Sequence, residues 1–200
     1  MPFTVIMHPE GFDLLHGDIS MLSHRNDAPA ISIGIGAPDL EMVRGNFRID
    51  DIVETRLALD CFAQVDGGIQ LWNAKQPDIV ATLLLEERAL QSILTFRCTD
   101  PAFNRLWIDM QCATSEAFWG GVEQMSYLRL NGRRFPFWTS EPGVGRDKST
   151  ALTQTMDASG LAGGDYWTTN YPQPTWVSSA RYAVHLETAA YSVLDLTAAG

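Results

Sequence analysis

The chain has no long apolar run: none of its 200 residues fall in a stretch approaching the ~18 apolar residues that a membrane-spanning helix needs, so no membrane partner is expected. The first residues, Met1-Pro2-Phe3-Thr4-Val5-Ile6-Met7-His8, include no Lys or Arg, whereas a secretory leader needs a basic start followed by an apolar stretch. A reducing, cytoplasmic setting is the expectation. Cysteine is scarce, at Cys61, Cys98 and Cys112; an odd count without CxxC spacing argues against a disulfide framework or a zinc site. No metal and no cofactor are expected. Positive charge is also short, with 14 Lys and Arg against 24 Asp and Glu, a net charge of −10 and a pI of about 4.7. Such a surface repels phosphate backbones, so no nucleic-acid partner is expected, and an anionic small substrate needs local Arg or Lys to overcome the field. Internal repeats, low-complexity tracts and strong helical stripes are missing as well.

What the chain does have is a core-forming composition and a period of two. Hydrophobic residues make up 46% and charged residues 19%, enough for one large all-β domain or two small ones. Leu106, Ile108, Met110 and Cys112 alternate with Trp107, Asp109 and Gln111, which predicts a strand with its aliphatic set on one face. The same alternation runs through 31–35, 53–59, 90–98 and 182–186. Asp66-Gly67-Gly68 between two apolar runs reads as a hairpin turn, and Gly120-Gly121, Asn131-Gly132 and Gly163-Gly164 as bends or bulges. Many short strands separated by turns predict an antiparallel β-sandwich with few or no helices.

One segment breaks the rhythm. Glu141 to Gly164 holds Pro142 and the glycines Gly143, Gly145, Gly160 and Gly163, with few large apolar residues, and reads as a long loop of the kind that often carries function. Gly143-Val144-Gly145-Arg146-Asp147-Lys148-Ser149 is not a phosphate loop, because Asp147 stands where that motif has glycine before its lysine. Ile33-Gly34-Ile35-Gly36 lacks the third glycine of a dinucleotide site. His8, His16 and His24 recur at intervals of eight, about 26 Å of extended strand, which keeps the rings apart. There is no GxSxG elbow. Glu116, Glu123, Glu141, Asp147, Asp157 and Asp165 are candidate carboxylates, and sequence alone pairs no two of them. Aromatics gather late, at Phe118, Trp119, Tyr127, Phe135, Phe137, Trp138, Tyr166, Trp167, Tyr171 and Trp176, which suits either a sandwich core or the faces of sugar rings.

Gly120-Gly121-Val122-Glu123-Gln124-Met125-Ser126-Tyr127, followed by Leu130-Asn131-Gly132-Arg133-Arg134-Phe135-Pro136-Phe137-Trp138, resembles the Gly-x-Gly-Glu strand and its sequel in glycoside hydrolase family 31, with Val122 where that family usually has glycine. Trp138-Thr139-Ser140-Glu141-Pro142-Gly143-Val144-Gly145-Arg146, then Gly163-Gly164-Asp165-Tyr166 and Pro172-Gln173-Pro174-Thr175, resemble the sulfoquinovosidase branch, as does Val43-Arg44-Gly45-Asn46-Phe47 upstream. The resemblance runs from about Ile33 to Leu196.

The resemblance implies that residues 1–200 are an N-terminal, galactose-mutarotase-like β-sandwich. A (β/α)₈ barrel is expected downstream, outside this chain, carrying an Asp nucleophile, an Asp acid/base and the sulfonate-reading Arg and Trp. No catalytic role falls on any residue here. The implied reaction is retaining hydrolysis of an α-sulfoquinovoside, with the sandwich docked on the barrel of its own polypeptide and lending a loop to the active-site mouth. Glu141, Arg146, Asp147 and Lys148 are the candidate substrate-loop residues. Arg146 and Lys148 could face an anionic substrate, or pair with Glu141 and Asp147 to hold the loop. Three alternatives stay open: the same role in an α-glucosidase or α-xylosidase, a stand-alone carbohydrate-binding module, and a sugar epimerase. A homo-oligomer is compatible with the sequence.

Overall fold

Alternating side chains and tight turns produce antiparallel strands nearly throughout the structure, a computed structural model that describes residues 2–43, 46–122, 126–140, 149–160 and 164–199. Strands β1 (Phe3–His8), β2 (Gly11–His16) and β3 (Ile19–Arg25) make a meander. Gly11 is required there, since a Cβ on it would lie 2.0 Å from the His24 carbonyl oxygen. Next come the 13-residue strands β4 (Ile31–Val43) and β5 (Asn46–Ala58). β6 (Cys61–Val65), β7 (Gly68–Asn73), β8 (Gln76–Arg88) and β9 (Gln91–Cys98) form a four-stranded sheet in sequential order. β10 (Arg105–Ile108) returns to pair with β4, giving the order β10-β4-β5. The Asp66-Gly67 turn joins β6 to β7 as the sequence predicts, with Val65 opposite Gly68 and Gly67 at φ +70.

The chain divides into two compact units, one of residues 1–39 with 51–112 and the other of 40–50 with 113–200. The first unit fills its core from all three of its sheets. Phe12, Leu14 and Leu22 come from the meander, Ile31 and Ile33 from β4, and Ile69, Leu71, Ala81 and Leu83 from β7 and β8. Each alternate residue of β7 points inward, so the period of two is the core itself. Asp51 and Arg105 tie β5 to β10 through a forked ion pair, with Arg105 Nε at 2.9 and 3.1 Å and Nη2 at 2.7 Å from the carboxylate.

The predicted strand at 106–112 forms only over Arg105–Ile108, and its aliphatic face is not covered as expected. Leu106 and Ile108 stand opposite the buried Ile33 and Ile31 but are 42% and 36% exposed, because β10 is the edge of its sheet. Trp107, on the other face, is half-buried beneath the Arg56 guanidinium, whose carbon is 4.6 Å from the ring centroid.

The second unit contains β11 (Phe118–Val122), β12 (Arg134–Phe137), α1 (Ala151–Gly160), β13 (Pro172–Ser178), β14 (Ala183–His185) and β15 (Ser192–Asp195). β13 lies between β11 and β14, and β12 pairs with β15. Its interior includes Phe118, Leu130, Phe135, Phe137, Trp176, Tyr182 and Leu196. Gly120 and Gly121, at φ +116 and +86, make the predicted bulge in β11, where the register with β13 shifts. The helix α1 lies inside the segment that the sequence reads as loop. It starts at a threonine cap, Thr153 N–H donating to Thr150 Oγ1 at 3.3 Å; among its described side chains Thr153 is the one buried completely and Leu152 is exposed, so no aliphatic stripe announces it.

Candidate functional site

The most tightly built polar feature of the second unit is the turn at Asn131-Gly132. Gly132 takes φ +75, which frees the chain to reverse between Leu130 and β12. The Asn131 side chain is buried and fully used. Its Oδ1 accepts from Phe118 N at 3.0 Å and Arg129 Nε at 3.1 Å, and its Nδ2 donates to the carbonyls of Glu116 at 2.8 Å and Ala199 at 2.5 Å. Two donors into the oxygen and two acceptors for the amide leave no capacity over.

Glu116 is equally committed. One carboxylate oxygen accepts from Ala113 N at 3.0 Å and the other from the Ser178 hydroxyl in a short hydrogen bond. A carboxylate buried in this way and committed to Ala113 and Ser178 serves to hold its own fold together.

Around this turn the aromatics interlock. Tyr166 meets Tyr127 and Phe135 edge to face at 5.7 and 5.5 Å. Its hydroxyl donates to the Arg134 carbonyl at 2.7 Å, and burial pushes its pKa up. Arg133 spans Tyr127, its guanidinium carbon 3.6 Å from the ring centroid, and donates to the Asn131 carbonyl at 3.1 Å. Arg133 and Arg134 belong to the family-like stretch 130–138, but the signal that marks them together with Arg129 as a charge cluster is three cations within six residues of an acidic chain.

Glu141, Arg146, Asp147 and Lys148, the substrate-loop candidates, lie outside the described residues, as does Glu123. The described residues on either side of 141–148 are tied to the second unit. Past β12, Thr139 bridges Thr169, and Ser140 N donates to the Thr169 carbonyl at 2.8 Å. Ser140, Thr168 and Thr169 are buried. On the far side Thr150 opens α1, with Gln154 N donating to its carbonyl at 3.0 Å. Asp157 lies in α1, and Asp165 accepts from its neighbour Tyr166 N at 2.8 Å. None of the candidate carboxylates is brought into a pair among the described residues by these contacts.

Beside the loop root is a hollow of about 260 Å³ lined by Phe137, Trp138, Thr139, Pro172, Pro174 and Ser192, among others. The Trp138 ring meets Tyr191 edge to face at 6.2 Å. The remaining late aromatics divide: Phe118, Phe135, Phe137 and Trp176 fill the interior, whereas Tyr171 is 69% exposed. Of the histidines, His8 donates from Nε2 to the Asp13 carboxylate at 2.8 Å, His16 packs on Phe3 at 5.5 Å, and His24 is buried.

No protein-family model matches the chain. It is 49% identical over 187 residues, 93% of its length, to a sulfoquinovosidase of Agrobacterium fabrum, and 34% identical over 201 aligned positions, 99% of its length, to a sulfoquinovosidase of Escherichia coli. It spans only 27% and 30% of those relatives. Among solved structures, a glycoside hydrolase family 31 sulfoquinovosidase from E. rectale, in complex with an aza-sugar inhibitor, superposes with a TM-score of 0.82 at 39% identity. That match covers 97% of this chain and 29% of the other.

Proposed function

We propose that this chain, which belongs to glycoside hydrolase family 31 as the N-terminal β-sandwich domain of the sulfoquinovosidase type, is the non-catalytic support of a retaining α-sulfoquinovosidase. The observation that carries the proposal is the pairing of near-complete coverage of this chain with coverage of less than a third of each relative. The greater part of such an enzyme lies in sequence other than this.

In the proposed enzyme a (β/α)₈ barrel of the same polypeptide supplies both catalytic carboxylates. One attacks the anomeric carbon while the other protonates the leaving oxygen; water then releases the sulfonated sugar with the second group acting as base. The sandwich docks on the barrel and presents residues 141–148 at the mouth of the site. What supports this part of the reading is that the described residues bracketing 141–148 are tied down, Ser140 on the Thr169 carbonyl and Thr150 at the start of α1. Arg146 and Lys148 are its cations, with Glu141 and Asp147 as their partners or their neighbours. The setting we propose is the reducing cytoplasm, in keeping with three cysteines and no disulfide.

The test is turnover by the full-length enzyme of a chromogenic α-sulfoquinovoside against the matching α-glucoside, with the anomer of the first product read by NMR. Preference for the sulfonated substrate and release of the α-anomer are expected. Equal or better cleavage of the glucoside would transfer the domain to a neutral-sugar member of the family.

A further inference from the structure

Arg129, Arg133 and Arg134 place three guanidinium groups within six residues of a protein whose net charge is −10. Among the described residues the ion pairs within 4.0 Å join His8, Arg25, Arg48, Arg88 and Arg105 to carboxylates, and these three arginines take part in none. Arg134 is partly offset, since Asp195 stands opposite it across the β12–β15 pair and has its pKa held down by the Thr197 hydroxyl, the Thr197 main chain and the Arg134 charge. Asp165 lies near Tyr166 and adds some negative field there. Among the described residues no carboxylate pairs with Arg129 or Arg133.

Both are nevertheless held in place. Arg129 gives its Nε–H to Asn131 Oδ1, and Arg133 gives one Nη1–H to the Asn131 carbonyl while its plane rests on Tyr127. Among the described residues each commits one of its five N–H donors in this way, which leaves the rest of each fork for a ligand. Asn131, which holds Arg129 through its side chain and Arg133 through its main-chain carbonyl, is itself buried with its carboxamide saturated, so both guanidinium groups hang from a well-tied turn. Arg129 is exposed and Arg133 half-exposed, and the adjacent Leu128 is 84% exposed, which sets an apolar edge beside two cations. Preorganised guanidinium forks of this kind match oxygens on a tetrahedral centre.

We infer that Arg129 and Arg133, flanked by Arg134 and Leu128, form a binding site for a small organic oxyanion, a sulfonate or a phosphate carried on a sugar or polyol. The choice of a sulfonated sugar as the first ligand rests on the function proposed above; the site rests on the arginines. In an acidic protein such a site gives an anionic ligand a place to gather that the global field denies it.

The experiment uses this chain, labelled at arginine with ¹⁵N, and follows the side-chain Nε–Hε resonances during titration with sulfoquinovose, glucose 6-phosphate and glucose. Saturable shifts at Arg129 and Arg133 with one or both anions are expected, at affinities of about 1 mM, with glucose inert. Sulfoquinovose alone assigns the site to sulfonates, and glucose 6-phosphate alone assigns it to phosphates. The Arg129→Gln/Arg133→Gln form should bind at least about tenfold more weakly with an unchanged melting temperature. The Arg129→Lys/Arg133→Lys form, which keeps charge and loses the forks, should fall between and covers the case in which glutamine disturbs the turn. No shift with either anion, or undiminished binding by both variants, overturns the site. Turnover by the full-length enzyme is measured in parallel. If the parent cleaves the sulfoquinovoside but the arginines bind nothing, the enzyme assignment stands without this site; if they bind and there is no turnover, the reverse holds.

Discussion

Asn131 donates from Nδ2 to the main-chain carbonyl of Glu116 at 2.8 Å, joining the turn before β12 to the residues that lead into β11. The same side chain serves Phe118 N and the Ala199 carbonyl, so three remote stretches of the second unit meet on one carboxamide. Asn131→Ala would leave Phe118 N and two carbonyls buried without partners. The expected loss is about 2–4 kcal/mol of unfolding free energy, read as a lower midpoint in urea. Asn131→Asp should be no better, because it keeps the acceptor, loses both donors and brings a charge into a buried site. A wild-type midpoint for both would remove the turn from any central structural role.

His24 makes the first unit sensitive to acid. Its ring is fully buried, stacked on Phe12 at 4.9 Å and 14° and set edge-on to Phe62 at 6.3 Å. Burial pushes its pKa down from 6.5 to about 4, with the Arg25 charge adding to the effect and the Leu59 main chain opposing it. Between those values the unfolded chain binds a proton that the folded chain does not. Stability is therefore full above pH 6.5 and falls as the pH drops toward 4, by about 3 kcal/mol in all. His24→Phe, which can stack in the same place, should flatten that slope. An equally steep fall in the variant would assign the acid sensitivity to other groups.

Gly34 leaves room for the Trp107 ring. A Cβ there would lie 2.4 Å from the Thr55 carbonyl oxygen and 2.7 Å from the indole, so Gly34→Ala must move a strand, a ring or both. A loss of about 1–3 kcal/mol is expected, with a shift in tryptophan fluorescence as Trp107 leaves its place under Arg56. Unchanged stability and emission would show that the backbone yields there at no cost.

The strands over 31–35, 53–59, 90–98, 106–108 and 183–185 were legible because each carries its own alternation, and the turns because Asp66-Gly67, Gly120-Gly121 and Asn131-Gly132 have few other uses; the meander β1–β3 and the short strands β12, β13 and β15 were not picked out in this way. Pairing was not legible. That β10 sits at an edge, leaving Leu106 and Ile108 exposed, depends on which strands flank it and not on its own residues. The helix α1 was missed because the side chain it hides completely is Thr153. The Asn131 network reaches Ala199 across 68 positions, a separation at which sequence pattern says nothing. The segment from 141 and its two cations among glycines were legible in the sequence, but a role at a substrate came only with the family resemblance, since charge does not distinguish Arg146 and Lys148 from cations paired with Glu141 and Asp147.

In the proposed enzyme this sandwich holds none of the chemistry. The most direct measurement is turnover of a chromogenic α-sulfoquinovoside by this chain alone and by the full-length polypeptide, at equal concentration. The account predicts release of the chromophore by the full-length enzyme and none above background by the chain. Turnover by the chain itself would contradict it, placing a competent carboxylate pair within these 200 residues.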